Sequence, residues 1–138
     1  MSHEILPTDL RLSIGGHFGT SYRVDYRGGG TLVYWRIDES REEHEETLVP
    51  TKAQWKAFWK KIDRLELWKW SPHYENPGVC DGTGWSVEIR RDRQSVKSSG
   101  DNNYPATPEE PSFDPEPSKL FNGYLRAVSS LLGGREFS

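Results

Sequence analysis

The stretch VCDGTGWSVEIRRDRQSVKSSGDNNYP, residues 79–105, reads as a β-hairpin carrying a polar motif at its open end. Trp85, Val87 and Ile89 alternate with Ser86, Glu88 and Arg90, the period of a strand buried on one face. Gln94–Ser99 supplies a weaker returning strand. With a turn centred on Asp92-Arg93, Trp85 faces Gly100, Val87 faces Ser98 and Ile89 faces Val96. Carried further back, the same register brings Asp81 near Tyr104 and Gly82 near Asn103. The Asp-Gly and Asn-Tyr-Pro motifs therefore converge at one end of the hairpin.

Two readings fit that convergence. In the first it is a fastening. A tryptophan laid across a facing glycine fills the space of a missing side chain. Asp81 and Asn103 are suited to bonding exposed turn backbone, and Tyr104-Pro105 restricts the chain as it leaves the sheet. In the second, Asp81, Trp85, Asn102, Asn103 and Tyr104 form a ligand-binding edge of varied polar chemistry beside an indole.

Upstream, three more alternating segments predict strands: Leu10–Ile14, Tyr22–Arg27 and Thr31–Asp38, with Gly15-Gly16 and Gly28-Gly29-Gly30 as turn residues between them. The acidic run Ser40–Glu46 reads as a solvated turn leading to a fourth strand in residues 45–50. Thr51, three residues before Gln54, is a capping-box signature. The helix that follows places Trp55, Phe58, Trp59, Ile62 and Leu65 on one face. Trp68–Gly82 is rich in turn formers and reads as an irregular connection. Residues 100–118 hold five of the nine prolines and five acidic residues without a Lys or Arg, an acidic surface loop with Phe113 as its candidate anchor. A last helix, Lys119–Leu132, aligns Leu120, Tyr124, Leu125, Val128, Leu131 and Leu132, and stops at Gly133-Gly134. The expected architecture is a single α+β domain spanning residues 1–138. Its antiparallel sheet has about six strands, with both amphipathic helices packed on one face.

Asp81, Gly82, Trp85, Gly100, Asn102, Tyr104 and Pro105 together resemble the Asp-Gly-x-x-Trp … Gly-x-Asn-x-Tyr-Pro pattern of a group of small bacterial proteins without an assigned activity. The resemblance covers some 25 residues and is flanked by a helix on each side, as in that group. Where the group usually carries glycine in the turn, this chain has Arg91-Asp92-Arg93. The resemblance implies a fold and no activity.

At 138 residues the chain is long enough to bury roughly 65–70% of its unfolded surface. A hydrophobic fraction of only 33% is offset by seventeen aromatic residues, six of them tryptophan, each burying on the order of 150–250 Å². A single cysteine, Cys80, excludes an internal disulfide and fits a reducing compartment. The opening MSHEILPTDL lacks a basic segment followed by an apolar run, and no apolar stretch approaches the ~20 residues of a membrane span. A cytoplasmic protein without membrane association is expected. A net charge of −3 argues against a generic nucleic-acid binder.

The remaining chemistry is sparse. His3, His17, His44 and His73 lack metal-ligand spacing, and no second cysteine completes a zinc site. No cofactor or metal is expected. Lys52, Lys56 and Lys60 recur at i, i+4, a like-charge stripe that weakens a helix slightly unless an acidic turn or an acidic partner compensates it. Arg90, Arg91 and Arg93 form a second basic cluster. The expected function is a non-catalytic binding or protein-interaction domain, its partner another protein or a small polar ligand. Two alternatives stand beside it. One is a small hydrolase using Asp81 with His73. The other is a sugar- or nucleotide-binding module stacking its ligand on Trp68 and Trp70.

Overall fold

A computed structural model describes residues 5–16, 19–75, 83–101, 103–105 and 118–138. The chain runs β1 (Asp9–Gly16), β2 (Ser21–Tyr26), β3 (Leu32–Ile37), β4 (Glu43–Leu48) and α1 (Lys52–Arg64). A 3₁₀ turn, β5 (His73–Glu75), β6 (Thr83–Arg91), β7 (Gln94–Asp101) and α2 (Lys119–Leu131) follow. Seven strands form one sheet in the order β4-β3-β2-β1-β6-β7-β5. All neighbouring pairs are antiparallel except β5 with β7. No helix among the described residues is long and apolar enough to cross a membrane.

The first four strands form a meander, each returning beside the last. The second half joins it where β1 pairs with β6, setting Leu10 opposite Ile89, Leu12 opposite Val87 and Ile14 opposite Trp85. All six side chains are buried. Because side chains alternate across a strand, this pairing commits the even positions of β1 and the odd positions of β6 to one face. Tyr22, Val24, Leu32, Tyr34 and Val96 join them there, and both helices lie over that face. Trp55, Phe58, Trp59 and Ile62 come from α1, and Phe121, Tyr124, Ala127, Val128 and Leu131 from α2. The expected α+β architecture is present, with one strand more than six.

The additional strand is β5, inside the segment expected to be irregular. Three residues are too short to show a period. What holds β5 is tertiary: Tyr74 lies opposite Gly100 and packs its ring 5.8 Å from that of Trp85. β4 also begins earlier than its apolar end implies. Glu43–Glu46 are strand residues facing Ile37–Tyr34, and the turn is confined to residues 38–42. Alternation is carried there by charged residues, which hydropathy does not mark and which suit a solvent-exposed edge strand.

Both helices start where their caps place them. Thr51 Oγ1 accepts from the Gln54 amide at 3.1 Å while Gln54 Oε1 accepts from the Thr51 amide at 2.7 Å. Ser118 Oγ accepts from the Phe121 amide at 3.1 Å and donates to the Pro105 carbonyl at 2.6 Å, fastening α2 to the chain leaving β7. The tail after α2 is also anchored. Phe137 is buried against Tyr22 and Tyr124, Tyr34 donates to the Glu136 carbonyl at 2.6 Å, and Arg135 forks onto the Glu46 carboxylate of β4.

Candidate functional site

The hairpin register is the one read from the sequence, with Trp85 opposite Gly100, Val87 opposite Ser98 and Ile89 opposite Val96. Asp92 takes a left-handed φ of 57° at the turn, the conformation that glycine at this point would accept without strain. At the open end the Trp85 ring crosses Gly100, where a Cβ would stand 2.5 Å from Trp85 Nε1. The indole N–H donates to the Asn103 carbonyl at 2.8 Å, and Asn103 Oδ1 accepts from the Tyr104 amide at 2.9 Å. Phe121 of α2 lies under both rings, with centroids 4.9 Å from Trp85 and 4.7 Å from Tyr104. Burial pushes the Tyr104 phenol upward, against a bond to Thr83 that lowers it.

Three of the five candidate site residues are thus brought together, but in the core. Trp85 and Tyr104 are 4% and 2% exposed, so their rings offer no surface to a ligand, and Asn103 is half-buried with its backbone oxygen engaged. Asp81 and Asn102 lie outside the described residues, as do Gly82, Cys80 and Phe113.

Other candidates have definite places. His73 is exposed, with Nδ1 3.2 Å from Ser99 Oγ; its suggested partner Asp81 is outside the described residues. Trp70 is buried among Phe121, Tyr124 and Trp85, filling the core between α2 and the sheet. Trp68 stacks on Trp59 at 6.4 Å and donates to Asp63 at 2.8 Å. The two rings therefore do not make a shared stacking platform. Asp38, Glu42 and His44 gather at the β3–β4 turn. Asp38 Oδ1 accepts from the Ser40 hydroxyl and from the Ser40 and Glu42 amides, and its Oδ2 meets His44 Nε2 at 3.1 Å. These bonds, the Ser40 hydroxyl foremost, hold its carboxyl well below the usual range. The carboxylate closes a turn.

The surface that sequence reading did not single out is the bare face of the sheet. With both helices on the other side, Arg11, Ser13, Arg23, Asp25, Ser86, Glu88, Lys97 and Ser99 share a shallow groove of about 730 Å³. Arg23 forks onto Asp25 at 3.0 and 3.3 Å, and Ser13 and Ser86 bond across β1 and β6 at 2.6 Å. On β3, half-exposed Trp35 sits beside the groove with the Arg23 and Arg27 guanidinium carbons 5.1 and 5.5 Å from its ring centroid. The only sequence signal was alternation, which paired Trp35 with Val33 and Ile37 but did not say which set faces water.

No protein-family model matches the chain, and no curated protein matches it either.

Proposed function

We propose that this protein is a non-catalytic interaction domain that binds another protein through the bare face of its sheet. One observation carries the reading: a half-exposed tryptophan with two guanidiniums over its ring, beside a broad groove lined largely by charged and hydroxyl residues, on the face that neither helix covers. Tryptophan and arginine are the residues most often responsible for binding energy at protein interfaces. Stacking orders the two long arginine side chains in advance, so less freedom is lost when a partner arrives. The groove mixes Arg11, Arg23 and Lys97 with Asp25 and Glu88, a balance that suits a protein surface of mixed charge better than a polyanion. A reducing, cytoplasmic setting fits a chain with one cysteine.

A photo-crosslinking residue placed at Lys97, on this face, should capture a discrete partner in cells. The same residue at Ala57, on the outer side of α1, should not. Trp35→Ala should abolish the Lys97 adduct while the thermal midpoint shows the domain still folded. Equal adducts from both positions, or an adduct indifferent to Trp35, would move the binding surface elsewhere.

A further inference from the structure

The two basic clusters of the sequence meet on the other side of the molecule. Lys56 and Lys60 of α1 and Arg91 and Arg93 of the β6–β7 hairpin line one depression of about 560 Å³, together with Trp59, Ile5, Asp63, Asp92 and Gln94. Trp59 is its anchored floor, buried to 2% with its indole N–H donating to the Ile5 carbonyl. Arg91 lies across that floor, its guanidinium carbon 4.6 Å from the ring centroid, and is only 9% exposed. Among the described residues Lys56, Lys60 and Arg93 form no ion pair.

We propose that this depression binds an acidic segment of a partner protein, with Lys56, Lys60 and Arg93 meeting its carboxylates beside the stacked Arg91 and Trp59. Like charges at i, i+4 repel along a helix, and Lys52, Lys56 and Lys60 keep that repulsion with no acidic residue in the first turn of α1 to relieve it. An arriving carboxylate relieves it. A depression this wide takes several side chains, not one small anion. Asp63 and Asp92 on its wall, and the net charge of −3 over the chain, oppose the dense uniform charge of a nucleic acid and tolerate the interrupted charge of an acidic peptide. The site is remote from the bare sheet face, so the two surfaces are separable by mutation.

The probe is a fluorescein-labelled peptide of alternating Glu and Ala, followed by anisotropy at low and at physiological salt. Saturable binding is expected, weakened at least tenfold in Lys56→Gln/Lys60→Gln and unchanged in Arg36→Gln/Arg126→Gln, two cations that line neither this depression nor the sheet-face groove. Lys56→Glu adds a readout in the other direction: it should abolish binding yet raise the thermal midpoint, because it places an opposite charge between Lys52 and Lys60. Absence of saturable binding overturns the proposal. So does equal loss in both double variants, which is attraction to any surface cation, and so does tighter binding of a single-stranded oligonucleotide than of the peptide.

Discussion

Gly100 has no space for even a methyl group. A Cβ there would stand 2.5 Å from Trp85 Nε1 and 2.6 Å from the Asn103 carbonyl oxygen, the two atoms whose hydrogen bond closes the hairpin end. The neighbours cannot yield, since the Trp85 ring is backed by Phe121 and Trp70. Gly100→Ala should therefore cost about 2–3 kcal/mol and lower the thermal midpoint by on the order of 10 °C. A change of no more than a degree or two would show that the indole can slide aside and that the glycine is not what seats it. Phe121 shows what residue-level reading misses. The apolar set assigned to the last helix omits it, yet it is fully buried and meets Trp70, Trp85, Tyr104 and Tyr124.

At the scale of elements, the caps do unequal work. Thr51 is exposed and its bonds stay within its own helix. Ser118 is buried, and its hydroxyl joins the start of α2 to the Pro105 carbonyl. Thr51→Ala should cost about 1 kcal/mol, the ordinary value of an N-cap. Ser118→Ala loses the cap and also leaves a buried carbonyl without its donor, which adds about 1–3 kcal/mol. Chemical denaturation of the two variants side by side measures the difference. Equal losses would mean that α2 is docked by its apolar face alone, with the Ser118–Pro105 bond contributing nothing.

Across the whole molecule, four tyrosines tie the fold to alkaline pH. Burial, aided by the neighbouring Glu136, pushes Tyr22 up to about 12. Burial also raises Tyr34, Tyr104 and Tyr124. A phenol whose folded pKa lies above its ordinary value of about 10 holds its proton more tightly when folded. Its stabilising effect is complete below that ordinary value and is lost as pH rises through the folded one. The protein should keep its structure to about pH 10 and then unfold cooperatively, with tyrosinate absorbance from these rings appearing together with loss of circular dichroism. Tyrosinate from all the rings well before any structural change would show that the phenols are reached by water in the folded state. The rings lie on β2, β3, the chain after β7, and α2, so their joint titration reports the docking of both halves of the sheet under α2.

What short-range physics controls could be read from neighbouring residues. Period-two alternation located the longer strands, period-3.6 spacing with a capping box located α1, and the length of the hairpin turn set the pairing of Trp85 with Gly100. These follow from residues close in the chain, so they were legible from a local window. Long-range packing alone settled which face of β3 went inward, that three residues at His73–Glu75 would add a parallel strand, and that Phe137 would fold back onto Tyr22. The candidate surfaces belong to this second kind. Trp35 meets Arg23 across a strand pair, and Lys56 on a helix lines the same depression as Arg93 on a hairpin. A local pattern can say that a strand has two faces or a helix a basic stripe. Which of them water keeps is settled by the burial of the opposite face, and that depends on every other element in the sheet.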